Sequence, residues 1–142
     1  MEMALGEARI AAQAGEVPVG AVIVRAGEVI ATTHNLVEAQ HDPTAHAEVL
    51  AIRAAGEKLG SPRLVDCDLY VTLEPCAMCA AAISHARLRR VVFGAYDPKG
   101  GAVEHGPKWF EQPTCLHRPE VLGGVNEDEA GQLLKDFFME RR

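Results

Sequence analysis

The stretch Leu69-Tyr70-Val71-Thr72-Leu73-Glu74-Pro75-Cys76-Ala77-Met78-Cys79 decides the fold, because it joins an apolar run directly to a helix that begins with two cysteines. The run at residues 69–73 predicts a buried strand. Small residues at 76–86 predict a closely packed helix, and the β-branched run at 90–95 predicts the next strand. A strand, a helix and a second strand in direct succession indicate an α/β fold.

Toward the N-terminus, the alternation of helices and strands continues. We expect a helix at residues 2–14, a hairpin of strands at 17–24 and 29–33, and a loop at 35–44. Asp42 is a favourable helix-capping residue and Pro43 a favourable first helical residue. The next helix is therefore predicted to run from this point to Leu59.

Toward the C-terminus, glycines and prolines interrupt every period in the segment 97–124, which has no assigned element. Residues 127–142 predict a last helix, whose apolar side carries Leu133, Leu134, Phe137 and Phe138. The whole pattern predicts a single domain, residues 1–142. Its expected fold class is α/β, a three-layer α/β/α sandwich with a central mixed sheet of about five strands.

Composition is typical of a soluble globular protein. Hydrophobic residues make up 48% and charged residues 24% of the 142 residues, enough apolar material for one core. No apolar run approaches the length of about 18 residues that a membrane-spanning helix needs. Residues 1–7 contain no basic segment followed by an apolar one, so we expect no secretory signal and a cytoplasmic location.

The net charge of −6 argues against an extended nucleic-acid-binding surface. Basic residues are nevertheless grouped, at Arg87, Arg89 and Arg90, at Lys99, Lys108, His117 and Arg118, and at the terminal Arg141-Arg142. Such groups on an acidic body can still hold a short RNA. Taken singly, each of these charges fits a solvated surface equally well.

Three side chains, His46, Cys76 and Cys79, form a pattern typical of a catalytic zinc site. One imidazole and two thiolates suit Zn²⁺, and three protein ligands leave the fourth tetrahedral position open for catalysis. In a reducing cytosol, metal binding explains the closely spaced cysteine pair better than a disulfide does. Glu48 follows His46 by two positions and can shuttle protons without being a ligand.

The ligands fall at the predicted starts of two helices. Pro43 shortly precedes His46, and Pro75 directly precedes Cys76. A helix N-terminus carries a partial positive charge and free N–H groups, which favour a thiolate over a thiol. Cys76 and Cys79 are three positions apart and therefore share one helix face. Two such helix starts that converge would form a metal site.

A structural zinc site is the alternative, and it needs a fourth ligand. The candidate fourth ligands are Cys67, Cys115, His41 and His85, none of which belongs to a second Cys-x-x-Cys or His-x-x-x-His unit. Cys67 and Cys115 are instead expected to be buried thiols. The isolated histidines are expected to be surface or hydrogen-bonded residues: His34, His41, His85, His105 and His117.

An open zinc site beside a glutamate predicts hydrolytic removal of an amino group from a nucleobase. Zinc makes hydroxide available at neutral pH, and Glu48 would move the proton to a ring nitrogen and then to the leaving amine. On an ideal helix the side chain of Glu48 leaves about 200° round from that of His46, so its direction depends on the fold. The N–H of Ala47, or those at the start of the cysteine helix, are candidates to bind the base or the developing oxygen.

Longer stretches resemble the bacterial tRNA-specific adenosine deaminases, a family within the zinc-dependent cytidine/deoxycytidylate deaminase superfamily. The resemblance spans almost the whole chain and is carried by residues 17–22, 41–48, 69–79, 91–95 and 136–138, together with Asn35. It implies a cytidine-deaminase-like fold and a homodimer with one zinc ion per subunit. It also implies conversion of the wobble adenosine in the anticodon of an arginine tRNA to inosine.

The resemblance also implies roles for single residues. His46, Cys76 and Cys79 correspond to the zinc ligands, and Glu48 corresponds to the proton shuttle. Asn35 corresponds to an asparagine that hydrogen-bonds the target nucleotide. Without the resemblance, Asn35 would be read as a residue that caps the loop after the second strand.

Further positions extend this comparison toward the anticodon loop. Asp97 corresponds to an acidic residue that contacts the nucleotide beside the target base. Phe138 and Arg141-Arg142 correspond to a C-terminal helix near the anticodon loop, although core packing is an equal expectation for Phe138. Tyr96 stands where some relatives have a basic residue, and an aromatic ring there can stack on a base.

Two other functions remain open. A free-base or nucleoside deaminase acting on guanine or cytosine shares the His-x-Glu and Pro-Cys-x-x-Cys core. Only the loop at 35–44, Asp97 and the C-terminal helix favour tRNA as the substrate. A catalytically silent binding protein would be expected to lack the glutamate, whereas Glu48 is present.

Overall fold

Helices and strands alternate along the chain in the computed structural model, which describes residues 1–141. The strands are β1 (Gly20–Arg25), β2 (Glu28–His34), β3 (Cys67–Leu73), β4 (Arg90–Ala95) and β5 (Glu120–Leu122). The helices are α1 (Glu2–Gln13), α2 (Val37–Gln40), α3 (Ala47–Leu59), α4 (Ala77–His85) and α5 (Glu127–Met139), with a 3₁₀ turn at Trp109–Glu111.

The strands form one mixed sheet in the order β2-β1-β3-β4-β5. β1 runs antiparallel to β2 and β3, whereas β4 runs parallel to β3 and β5. Because α4 carries the chain across from β3 to β4, the carboxyl ends of these two strands lie at the same edge of the sheet. The predicted central mixed sheet of about five strands is confirmed.

Helices cover both faces of the sheet, as the predicted α/β/α sandwich requires. α1 and α5 contact one another and pack on one face, while α3 and α4 contact one another on the other. The larger buried cluster includes Ile23, Leu69, Ile83 and Phe93. A smaller cluster beneath α1 and α5 contains Leu5, Ala95 and Ala130. Both helix layers therefore bury apolar side chains against the sheet, which is the main stabilising contribution to the fold.

Gly94 in β4 allows α5 to approach the sheet closely. A Cβ atom at this position would lie 2.7 Å from the carbonyl oxygen of Thr72 and 2.9 Å from Cβ of Ala130. We therefore expect Gly94→Ala to lower the free energy of unfolding by about 1–3 kcal/mol through overpacking, measured by urea denaturation. Gly131→Ala in α5 is the matched control, because no atom lies within 4 Å of its added Cβ. That variant should be at least as stable as the parent, and equal losses in the two variants would contradict the packing argument.

The helix predicted from Asp42 and Pro43 begins later, at Ala47. Oδ1 of Asp42 accepts hydrogen bonds from the N–H (2.8 Å) and the hydroxyl (2.7 Å) of Thr44, so Asp42 closes a local turn instead of capping the helix. The preceding loop contains the short α2. The prediction was wrong here because Asp-Pro favours a turn as well as a helix start.

Other predicted bounds shift at both ends of the chain. The first strand begins at Gly20 instead of residue 17. The segment 97–124 contributes β5, whose three residues are too few to show a period. α5 ends at Met139, and Phe138 is 51% exposed, so its predicted place on the apolar side is wrong. Arg142, part of the predicted final helix, lies outside the described residues. Within residues 1–141, no helix is both long enough and apolar enough to cross a membrane.

Candidate metal centre and pocket

His46 and Cys76 occupy equivalent places in two helices. Each is the residue directly before the first helical residue, with extended backbone angles of φ −74° and ψ 149° for His46 and φ −75° and ψ 176° for Cys76. Cys79 lies in the first turn of α4. Because α3 and α4 contact one another on one face of the sheet, the side chains converge. One ligand atom from each of the three residues lies within 4.8 Å of the other two.

The three side chains lie within hydrogen-bonding distance of one another through His46. Nδ1 of His46 lies 3.7 Å from Sγ of Cys76 and 3.4 Å from Sγ of Cys79. Hydrogen bonding with Cys79, together with that from His46, lowers the pKa of Cys76 to about 4 despite burial. The same contact with Cys76, with burial, raises the pKa of Cys79, and hydrogen bonding with Cys76 raises the pKa of His46. A metal ion that binds here displaces these protons.

Glu48 lies beside this group and has an unpaired oxygen. Its side chain is buried, and Oε1 has no hydrogen-bond partner within residues 1–141. Burial, with a smaller contribution from the negative charge of Cys76, raises the pKa of Glu48 to about 7. A carboxyl group with such a pKa can accept and donate a proton near neutral pH. The ideal-helix angle between Glu48 and His46 does not apply, because His46 precedes the helix.

The donor set fits a catalytic zinc ion. One imidazole nitrogen and two sulfurs are ligands that Zn²⁺ prefers. None of the candidate fourth ligands joins the group among the residues that the structure describes: Cys67, Cys115, His41 and His85. An unpaired buried carboxylate oxygen is costly, and a water molecule held between Glu48 and the metal position would satisfy it. The structural-zinc alternative has no fourth ligand in this part of the chain.

The remaining cysteines and histidines have structural surroundings, as predicted. Cys67 and Cys115 are buried free thiols. His34 pairs with Glu7 at 2.8 Å, and Nε2 of His117 lies 2.7 Å from the carbonyl oxygen of Leu88. His41 and His85 are exposed. His105 contacts a buried glutamate that is described below.

The metal-binding group opens into a pocket of about 580 Å³, lined by residues from five segments. Besides the metal-binding group, the lining includes Val17, Asn35, Val37, Glu38, Pro43, Leu73, Asp97, Gly100, Phe137 and Arg141. Carboxylates in the lining come from Glu16, Glu38, Glu48, Glu74 and Asp97. A lining so rich in carboxylates disfavours a phosphate group inside the pocket and suits a neutral, flat ligand with amino groups.

Asn35 is held in a fixed orientation within this lining. Its side chain is buried, and Oδ1 accepts a hydrogen bond of 2.7 Å from the N–H of Ala47. The carbonyl oxygen of Ala47 in turn accepts a hydrogen bond of 2.7 Å from the hydroxyl of Thr33. The N–H of Ala47, one of the groups predicted to bind substrate, is thus engaged by Asn35, which leaves the two N–H donors of Nδ2 for a ligand.

The C-terminal helix and the residues after it contribute Phe137 and Arg141 to the pocket. Phe137 lines the pocket, whereas its neighbour Phe138 points largely to solvent. The guanidinium carbon of Arg141 lies 3.6 Å from the centroid of the Phe137 ring, and Arg141 also lines the pocket. Both phenylalanines fit the apolar side of a helix in the sequence, so the pattern could not separate them.

Glu16 is a further buried residue that the sequence did not single out. It is 1% exposed, and its two carboxylate oxygens accept hydrogen bonds from the N–H groups of Glu38 (2.9 Å) and Ala39 (2.8 Å). These N–H groups belong to the first turn of α2. Glu16 therefore holds α2 at the edge of the pocket, and an isolated glutamate after a glycine carries no sequence signal for this role.

Two of the grouped arginines lie far from the pocket. Arg90 pairs in register with Asp68 near the beginning of β3, whereas the pocket lies at the other end of that strand, at Leu73. Arg89 forms a salt bridge with Asp68 (2.7 Å), and Arg90 forms one with Glu120 (3.0 Å). These arginines are therefore not placed to hold RNA at the pocket.

Comparison with known proteins gives consistent matches. The sequence model described as the cytidine and deoxycytidylate deaminase zinc-binding region matches residues 1–95. A tRNA-specific adenosine deaminase of Agrobacterium fabrum is 57% identical over 142 residues, which cover 100% of this chain and 93% of that protein.

Two solved structures show the same likeness in three dimensions. A structure from studies of A-to-I editing by tRNA:A34 deaminases at the wobble position of transfer RNA has a TM-score of 0.93 and 57% identity, covering 94% of this chain and 97% of that one. Guanine deaminase from Bacillus subtilis has a TM-score of 0.66 and 37% identity, with coverage of 99% and 90%.

Proposed function

Because this chain belongs to the zinc-binding cytidine and deoxycytidylate deaminase family and, within it, to the tRNA-specific adenosine deaminases, we propose that it deaminates adenosine to inosine at the wobble position of a tRNA anticodon. The observation that carries the proposal is the group of His46, Cys76 and Cys79 beside the unpaired carboxylate of Glu48 in one pocket. Both parts of a hydrolytic deaminase, a metal site with an open position and a proton carrier, are present there.

The reaction exchanges the amino group at C6 of adenine for an oxygen atom. His46, Cys76 and Cys79 would hold the zinc ion, which when bound lowers the pKa of a water molecule from about 16 toward about 7. Glu48 takes the proton of this water at its carboxylate and delivers it to N1 of the base. The water oxygen would bond to C6 as the C6–N1 double bond becomes single. Glu48 would then carry the remaining proton of that oxygen to the exocyclic nitrogen, so that the C6 carbonyl forms while the C6–N bond breaks and ammonia leaves.

The pocket is suited to a flipped-out base attached to RNA. Asn35 presents its Nδ2 donors, while Leu73 and Phe137 supply apolar surface for the ring. The carboxylates disfavour phosphate inside the pocket, so the RNA backbone would stay outside it. Arg141, which lines the pocket and is partly exposed, is a cation that can contact a phosphate there. We propose that Asp97, which also lines the pocket, contacts the nucleotide beside the target base.

The remaining features of the proposal rest on the family. We propose that the protein binds the anticodon stem-loop of an arginine tRNA, carries one zinc ion per subunit, forms a homodimer and acts in the cytoplasm. Tyr96 is 40% exposed beside Asp97 and can stack on a flanking base. Metal analysis together with light scattering measures the zinc content and the mass of the assembly.

Substrate choice is the direct test of this proposal. The zinc-loaded protein is incubated with an arginine anticodon stem-loop that has adenosine at position 34, and with the same stem-loop that has guanosine there. Guanine, cytosine and free adenosine are assayed for ammonia release alongside. Inosine only in the first RNA supports tRNA editing, whereas ammonia from a free base with unreacted RNA would assign the chain to the guanine deaminase type of activity.

Asn35→Ala is expected to lower kcat/KM for the stem-loop by about 10- to 100-fold, the cost of one or two lost hydrogen bonds in a buried site. Zinc content should not change. Asn35→Asp is the matched variant, because it keeps an acceptor for the N–H of Ala47 but loses the Nδ2 donors. If Asn35→Asp is fully active, Asn35 only orients Ala47 and does not bind the base.

A further inference from the structure

Glu74 is a buried pocket residue close to the metal-binding group. It directly follows β3 and is separated from the predicted metal ligand Cys76 only by Pro75. Its side chain is fully buried, and it lines the pocket. A buried carboxylate is stable only where hydrogen bonds or charges compensate for its lost hydration, so its partners indicate its role.

Among residues 1–141, every hydrogen-bond partner of the Glu74 side chain belongs to the segment 97–105, here called the pocket loop. Oε1 accepts the N–H of Asp97 (3.0 Å) and lies 2.8 Å from Nδ1 of His105. Oε2 accepts the N–H groups of Val103 (3.2 Å), Glu104 (2.9 Å) and His105 (3.2 Å). The pocket loop is therefore wrapped around a buried anion.

The pocket loop has little freedom to adopt another position. The N–H of Ala102 donates to the carbonyl oxygen of Pro75 at 2.9 Å, a second link to the metal side. A Cβ atom at Gly101 would lie 2.5 Å from the carboxyl carbon of Glu74, so the backbone reaches the carboxylate only because residue 101 is glycine. Asp97 and Gly100 of this loop line the pocket.

We propose that Glu74 is a positioning residue for RNA recognition: its carboxylate fixes the pocket loop relative to Cys76, so that Asp97 is presented to the nucleotide beside the target base. This inference rests on the proposed tRNA substrate. It separates two effects. The metal ligands and Glu48 lie at the starts of α3 and α4, whereas the side-chain contacts of Glu74 are made with the pocket loop. Loss of the carboxylate should therefore raise KM for the RNA, while kcat, which reports the chemical step, changes little.

The test is Glu74→Gln, which keeps the size of the side chain but replaces one acceptor oxygen by an amide donor. Whichever way the amide is oriented, its NH₂ group faces N–H donors of the pocket loop. We expect KM for the anticodon stem-loop to rise at least tenfold, kcat to stay within threefold and zinc content to be unchanged. Hydrogen exchange should accelerate specifically in residues 97–105.

Glu104→Gln is the matched control. It makes the same chemical change in the same loop, but the side chain of Glu104 is exposed and only its N–H contacts Glu74. This variant should have the KM and hydrogen exchange of the parent. Gly101→Ala disturbs this contact from the loop side, although its Cβ would also lie 2.5 Å from the carbonyl oxygen of Asp97. It should reproduce the rise in KM, and a parent KM in this variant would overturn the role of the contact even if Glu74→Gln does not fold.

The outcomes separate this inference from the proposed function. If the parent protein makes no inosine in the stem-loop, the proposed tRNA substrate is wrong, and the inference is overturned with it. If the parent is active but Glu74→Gln and Gly101→Ala keep the parent KM, only the role of Glu74 is overturned. A parallel fall of kcat and zinc content with constant KM would also overturn it, because that result indicates support of the metal site alone.

Discussion

Replacement of Glu48 by glutamine should abolish turnover while the protein keeps its zinc and its fold. Glu48 is the buried acid beside His46, Cys76 and Cys79, and its Oε1 has no hydrogen-bond partner among residues 1–141. Glutamine has nearly the same shape but cannot take a proton from water or return one to the leaving amine. General acid–base catalysis contributes about 10²–10⁴-fold, and two proton transfers depend on this group, so we expect kcat to fall by at least about 10³-fold.

Single-turnover inosine formation and metal analysis of the same samples measure this effect. Glu38→Gln is the control, because Glu38 also lines the pocket but does not belong to the metal-binding group. That variant should retain activity within about tenfold, the range of one screened charge contact. Glu48→Ala should match Glu48→Gln in its loss of turnover. Unchanged turnover in either Glu48 variant would remove this residue from the mechanism.

Replacement of Cys79 by serine should remove the zinc and, with it, all activity. Cys79 is fully buried, and its sulfur lies 3.4 Å from Nδ1 of His46. A serine hydroxyl stays protonated at neutral pH and is a poor ligand for Zn²⁺, which leaves two donors where a stable site needs at least three. We expect zinc content to fall from about one ion per chain to below about 0.1, with a lower Tm because metal binding contributes to folding.

Cys115→Ser is the matched control for this loss. Cys115 is also buried, but its sulfur lies near Oγ of Ser84 (3.5 Å) and the carbonyl oxygen of His117 (3.2 Å), partners that a serine hydroxyl can also use. It should keep its zinc. Dialysis of the parent protein against a chelator should reproduce the Cys79→Ser defect, and added Zn²⁺ should restore activity only in the parent. Full zinc content in Cys79→Ser would show that the ligand assignment is wrong.

Predictions made from short-range patterns agree best with the structure. The bounds of β4 match the predicted 90–95, and the predicted strands and helices occur in the predicted order, with α2 and β5 in addition. His46, Cys76 and Cys79 converge as expected, because each pattern places its ligand at the start of a helix and α3 and α4 pack side by side. Predictions that needed a choice between two local structures were less successful, as at Asp42, which closes a turn instead of capping a helix.

The amino-acid sequence by itself determined the donor set, the alternation of strands and helices, and the family. These properties depend on ligand chemistry and on the spacing of residues within about ten positions, which a linear pattern contains. Only the tertiary structure decided that Glu48 lies beside the metal-binding group, that Phe137 and not Phe138 lines the pocket, and that Asn35 engages the N–H of Ala47.

The buried carboxylates show the physical reason for this division. Glu16 binds backbone groups more than 20 positions away, and Glu74 binds groups 23 to 31 positions away. In the sequence each is one charged residue among many, because nothing local distinguishes a glutamate on the surface from one that will be surrounded by N–H donors. Its role arises only when the folded chain removes it from water and brings those donors to it.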